Sequence, residues 1–285
     1  MDKRKRLLAD LTLFIASMIW GFGYFLQKTA SETTGALPYN CMRYGIAALF
    51  LLIVSGFRLP PKGEALKYAV LTGASMALGG NLQQTGVQLT SIGNASFITA
   101  IYIVLVPFLA ALILKRKIRP PLYLAALLSL IGLYLITTGG SGLDRISKGD
   151  MIVFAGSVVW AAQILLVDKG VQLCDPVAFT AGEFTTAAIL QLLAWLTVGR
   201  HDVTGIARSW PYAAASGIFV LGLACFMQSY GQKNTGETEA SIIMGLESVF
   251  GTLSGVLLYH EQFSGFQVAG MGLIFAAVLI AVLKN

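Results

Sequence analysis

The sequence predicts an all-α integral membrane protein with ten transmembrane helices in two inverted five-helix repeats, and three observations carry that expectation. Of its 285 residues, 56% are hydrophobic and only 12% charged, with a mean hydropathy of +0.73, more apolar surface than a water-soluble globule can cover. Prolines and charges cut the chain into apolar runs of roughly 20 residues, the helix length that crosses a hydrocarbon core about 30 Å thick. Distinctive settings also recur: Trp20 follows Ser17-Met18-Ile19 ahead of Lys28, and Trp160 follows Ser157-Val158-Val159 ahead of Lys169. A membrane tryptophan ordinarily sits at the interface, where its N–H meets water or headgroups. Two in mid-span point to one unit used twice.

The first span, 8–28, follows Lys3 to Arg6 and contains Trp20 and Tyr24. It is span-length and no small-x-small site closes it, so it reads as an uncleaved helix rather than a signal peptide. The second, 37–56, opens beside Pro38; the third, 66–88, follows Pro60 and Pro61; the fourth, 93–114, contains Pro107. Pro107 removes a backbone donor inside its span and predicts a kink there. The fifth, 121–138, starts at Pro120-Pro121 and carries Ala125, Ser129 and Gly132. The sixth, 150–169, holds Trp160; the seventh, 176–198, starts at Pro176; the eighth, 210–232, starts beside Pro211. The ninth, 239–259, holds Glu247, and the tenth, 264–283, carries Gly265, Ala269, Gly272 and Ala276. Every proline but Pro107 falls in a connection or a first turn, where it is tolerated. The small residues of the fifth and tenth spans suit close helix packing and read as scaffold or homodimer contacts.

Short loops rich in Lys and Arg stay in the cytoplasm. With the amino terminus inside, the inner side of the first half collects Lys3 to Arg6, Arg58, Lys62, Lys67, Lys115, Arg116, Lys117 and Arg119, and the outer side only Lys28. The second half hardly votes: Lys169, Lys233 and Lys284 lie inside against Arg145, Lys148, Arg200 and Arg208 outside. Both termini are therefore expected in the cytoplasm, in a plasma or bacterial inner membrane. The net charge of +6 is largely this loop signal and calls for no nucleic-acid partner. Cys41, Cys174 and Cys225, odd in number and in or beside the membrane, imply no disulfide framework.

Duplication shows best late in each half. Tyr68-Ala69, Gly73, Gln84, Gln88 and Leu135-Ile136 match Tyr212-Ala213, Gly217, Gln228, Gln232 and Leu279-Ile280 at an offset of 144; Ala95-Ser96 matches Ala240-Ser241 at 145. Two repeats follow, 1–145 and 146–285. Five spans in each is an odd number, so the second enters the membrane from the opposite side. Inverted repeats are characteristic of secondary transporters, with substrate held between the halves near the midplane.

Trp20-Gly21 with Lys28, the stretch from Thr90 through Ala95 to Pro107, and Tyr259-His260-Glu261 before Gly265 and Gly270 resemble the EamA-type drug/metabolite transporters over nearly the whole chain. The resemblance implies ten helices in two inverted repeats and transport of amino acids, other metabolites or drugs, often outward; within that family the chain resembles the YddG-like amino-acid exporters. Two departures stand out. Glu261 closes the ninth span, but Arg116 holds the matching place in the first copy, and Pro107 is matched by Thr252.

Asn81, Gln84, Thr85 and Gln88 share one face of the third span. An unpartnered amide in hydrocarbon costs several kcal/mol, so this face turns to substrate, water or another helix. Gln228 and Gln232 repeat the pair. Asn94, Ser96, Thr99 and Tyr102 on the fourth span correspond to Ser241, Glu247 and Ser248 on the ninth, with Tyr102 matched to Glu247, the most central acid in the chain. A central acid costs about 2.5 to 3.5 kcal/mol on insertion scales, which favours a role with a substrate ammonium or a proton over a merely structural one. Trp20, Tyr24, Trp160 and Gln163 complete the candidate cavity, since aromatic faces suit apolar groups and cations; core packing is the alternative. Arg43 and Glu183, within a few turns of span ends, read as snorkelling residues, and His260 with Glu261 as a helix terminus.

No G-x-x-x-x-G-K-[ST] loop is present, so transport is expected to be secondary or facilitative. No cofactor, metal or catalytic residue is expected. The competing readings are an intramembrane serine protease, from Gly73-Ala74-Ser75-Met76 with His260 as base, and a channel. The sequence thus predicts export of amino acids or related small metabolites by alternating access through a central cavity between the repeats.

Overall fold

The computed structural model describes residues 3–113, 115, 117, 119–139, 147–198, 203, 205–262 and 264–283. Helices α1 (Lys3–Ser31), α2 (Ala36–Val54) and α3 (Glu64–Leu89) are the first three spans. Helices α4 (Ile92–Thr99) and α5 (Tyr102–Ile113) together make the fourth, and α6 (Pro120–Thr138) the fifth. The second half repeats the order with α7 (Lys148–Gly170) and α8 (Pro176–Thr197). Next come α9 (Ile206–Ala215) and α10 (Ala224–Asn234), joined by a π-helical segment, Ser216–Leu223. Helices α11 (Glu237–Met244), α12 (Glu247–Tyr259) and α13 (Gly265–Leu283) complete the chain. The connection between the halves lies largely outside the described residues, as do Arg116, Ser141, Arg145, Arg200, His201 and Lys284.

Local sequence explains the ends. Ser147 and Asp150 form a reciprocal capping box at α7, and Asp175 accepts from the Ala178 amide ahead of Pro176 at α8. Among the described residues, seven helical stretches are long and apolar enough to cross a membrane, with α6 and α13 as shorter apolar helices. Helix α3 has 26 residues, but its amides dilute its hydropathy. Large apolar side chains such as Leu49, Ile53, Phe108, Leu112, Leu127 and Phe275 face outward, a surface that suits lipid and not water.

The packing is two-fold. Helix α1 of the first half lies against α10 and α12 of the second, and α7 of the second lies against α3, α4 and α5 of the first. Helices α2 and α8 pair with each other, as do α6 and α13. Ala125, Ser129 and Gly132 are buried at that last seam, where a Cβ on Gly132 would stand 2.6 Å from the Gly270 carbonyl oxygen. The small residues of the fifth span are thus used within the chain. Gly265, Ala269 and Gly272 instead face outward on α13.

The fourth and ninth spans are not the continuous helices the sequence predicted. Each breaks at the same place in its repeat. In the first copy, i→i+3 hydrogen bonds join Ile101 N–H to the Ile98 oxygen (3.2 Å) and Ile103 N–H to the Ala100 oxygen (3.0 Å). In the second, Leu246 and Ser248 N–H bond the Ile243 and Gly245 oxygens, both at 3.1 Å, 145 positions later in each case. The breaks do not depend on the proline. The first break precedes Pro107 inside α5, and the second forms with Thr252 in place of proline. The breaks also touch, since a Cβ on Gly245 would lie 2.0 Å from Cδ1 of Ile103.

Candidate functional site

Mid-span tryptophans need partners for their indole N–H, and both find one. Trp20 Nε1 donates to the Val220 carbonyl oxygen (2.9 Å), in the π segment, and Trp160 Nε1 to Gln83 Oε1 (2.8 Å). Glycines let the rings and helices close. A Cβ on Gly79 would lie 3.1 Å from the Trp160 ring, and one on Gly21 would lie 2.7 Å from the Glu247 carbonyl oxygen. The two rings flank a cavity of about 600 Å³, mouth included, lined from both halves.

Seven of the twelve sequence candidates line this space: Trp20, Tyr24, Tyr102, Trp160, Gln163, Gln228 and Glu247. The other five serve helix contacts. Asn81 Oδ1 accepts from Asn40 Nδ2 (2.6 Å). Gln84 Nε2 donates to the Gln27 carbonyl oxygen (3.1 Å) and Ser31 Oγ (2.9 Å), and Gln88 Nε2 to the Thr34 carbonyl oxygen (3.3 Å). Gln232 joins Gln228 to the Ile164 carbonyl oxygen, and the Ser248 hydroxyl donates to the Gly245 carbonyl oxygen. The α3 amide stripe is thus a seam to α1 and α2. Gln83, one residue off the stripe, reaches the cavity instead.

Glu247 is the first residue of α12, where the half-helix dipole favours a carboxylate. It is 5% exposed, its neighbours include the Tyr24 and Tyr102 hydroxyls, and Oε1 has no hydrogen-bond partner among the described residues. Arg43 also lines the cavity. It is 2% exposed; Nε donates to Asn40 Oδ1 (2.8 Å), and the guanidinium lies 5.2 and 5.4 Å from the ring centres of Tyr39 and Tyr44. It forms no ion pair among the described residues. The snorkelling expectation is therefore corrected for Arg43, and for Glu183 as well, which is fully buried with both carboxylate oxygens unpartnered among the described residues. Distance from the helix end misled: α2 and α8 pack against each other, so their end turns face protein.

Glu261 does more than terminate a helix. Its carboxylate accepts from the Ile92 and Gly93 amides (3.0 and 3.2 Å), capping α4 of the other half, and His260 is the left-handed C-cap of α12. The Ser75 hydroxyl donates to the Leu71 carbonyl oxygen of its own helix (3.0 Å), with no contact to His260 among the described residues. The serine–histidine pairing of the protease reading is not formed.

A family model for EamA-like transporters matches the chain twice, over residues 7–138 and 147–283. The chain belongs to the EamA-like transporter family. Relatives include an uncharacterized transporter of Archaeoglobus fulgidus, 28% identical over 281 residues, covering 98% of this chain and 87% of that protein. The inner membrane transporter YedA of Escherichia coli K12 is 25% identical over 282 residues, covering 95% and 89%. A protein of known crystal structure superposes with a TM-score of 0.78 at 18% identity, covering 97% of this chain and 96% of that one, and so shares the fold. The EamA-like assignment makes this a multi-pass membrane transporter, with the bilayer and a small-molecule substrate as its partners.

Proposed function

We propose that this transporter exports amino acids or closely related zwitterions by alternating access between repeats meeting near residue 145, both termini cytoplasmic. The observation that carries the reading is the pairing of Glu247 and Arg43, two buried and unpaired opposite charges in one aromatic-walled cavity. A buried charge without a partner is costly. A substrate with its own ammonium and carboxylate supplies both missing partners, and the Trp20, Tyr24, Tyr102 and Trp160 faces accept an apolar side chain. A homodimer, if formed, uses the outward Gly265, Ala269 and Gly272 face of α13 rather than α6.

Proteoliposome counterflow with labelled amino acids, their decarboxylated amines and their deaminated acids tests this. Competition by the amino acid and by neither half-analogue is the expected result. Equal competition by the amine alone overturns the zwitterion reading and leaves Arg43 without a substrate role.

A further inference from the structure

Two side-chain hydrogen bonds between the halves are copies of each other. The Thr90 hydroxyl donates to Asp150 Oδ1 (2.6 Å), and the Thr235 hydroxyl donates to Asp10 Oδ1 (2.8 Å). Asp10 and Asp150 are 140 positions apart, as are Trp20 and Trp160; Thr90 and Thr235 are 145 apart, as are the two helix breaks. Each acid lies near the start of the helix that opens its half, α1 or α7. Each threonine is the C-cap residue of α3 or α10, immediately before the broken span of the other half. Inversion puts the bonds on opposite faces, Asp10–Thr235 on the face where α1 begins and Asp150–Thr90 on the other.

We infer that these are the latches of the two access routes, each holding the broken span of one half closed over its own face and released when the cavity opens there. The inference rests on the alternating-access reading. The bonds are charge-assisted, short and largely removed from water: Thr90, Thr235 and Asp150 are all buried. Each links the start of a helix that opens one half to the residue just before the broken span of the other, so it can break without loss of any helical hydrogen bond. The surroundings differ between faces. Asp150 also serves the α7 cap and lies 3.5 Å from Asn94 Nδ2, and Lys28 Nζ holds the Val87 and Thr90 carbonyl oxygens (3.0 and 2.6 Å). On the α1 face, Arg6 stands 4.0 Å from Glu239 beside Asp10. The threonine hydroxyls are therefore the cleanest handles, since removing them leaves every charge in place.

The test uses the full chain with Cys41 and Cys174 replaced by Ser, leaving the native Cys225 as the probe in the cavity wall. Alkylation by a membrane-impermeant maleimide is timed from each face in right-side-out and inverted vesicles. Thr235→Val should raise the rate from the α1 face and lower it from the other, and Thr90→Val should do the reverse. The face ratio should move on the order of tenfold for one charge-assisted hydrogen bond. The double variant should return toward the parent ratio, and Thr90→Ser and Thr235→Ser, which keep the hydroxyl, should match the parent. Both valine variants shifting the ratio in the same direction, or neither shifting it, overturns the latch assignment. Rates from the two faces that rise together, instead of trading against each other, overturn alternating access itself.

Discussion

At the scale of single residues, the cavity is defined by what its polar groups lack. Glu247 Oε1 has no hydrogen-bond partner among the described residues, whereas the neighbouring amides are nearly all spent on other helices. Glu247→Gln keeps shape and hydrogen-bonding capacity but removes the charge. It should leave detergent thermal stability within about 1 kcal/mol of the parent and reduce counterflow at least tenfold, as measured in proteoliposomes. A role as proton carrier would also flatten the pH dependence of transport, while a substrate contact would weaken apparent affinity and leave that dependence intact. Gln83→Ala removes the acceptor of the half-buried Trp160 indole N–H, a loss of about 1 kcal/mol. Transport should fall more with it than with Leu127→Ala on the outward face of α6, with expression matched. Seven of the cavity residues were legible because tryptophan, tyrosine, glutamine and glutamate are conspicuous in mid-span. Arg43 was not, since its position along α2 says nothing of how deeply that helix is covered by α8.

At the scale of elements, the broken fourth and ninth spans make the site. Without the breaks, Tyr102 and Glu247 would be interior positions of continuous helices; with them, both open half-helices next to the cavity. The ten spans were readable from hydropathy and proline spacing, and the duplication from matched glutamines. The breaks were not. Pro107 falls in one copy and on the wrong turn, and Gly245 marks the break only in the second copy, with Ala100 at the matching place in the first. The cause is tertiary: Gly245 admits Ile103 where any larger residue would push the two spans apart. Gly245→Ala places a Cβ within 2.0 Å of Ile103 Cδ1 and should lower thermal stability by about 1 to 3 kcal/mol. Ile103→Val should recover part of that loss in a double-variant cycle, and full additivity of the two changes would show that the contact is not shared.

At the scale of the whole molecule, inversion of the halves follows from an odd number of spans in each, and the charge bias of the first half is what supports the proposed cytoplasmic termini. A cysteine at Ser141, outside the described residues, should react with an impermeant maleimide on intact cells. Reaction only after permeabilisation would reverse the orientation. The contact between Gly245 and Ile103 has a mechanical consequence. Under the proposed alternating access, two hinges that bear on one another would act as a linkage in which the swing of one arm constrains the other, and a conduit open at both ends at once would be excluded. Loosening the bearing with Ile103→Ala should appear as substrate leak down its gradient without exchange, detectable as efflux into substrate-free buffer at a rate the parent does not show.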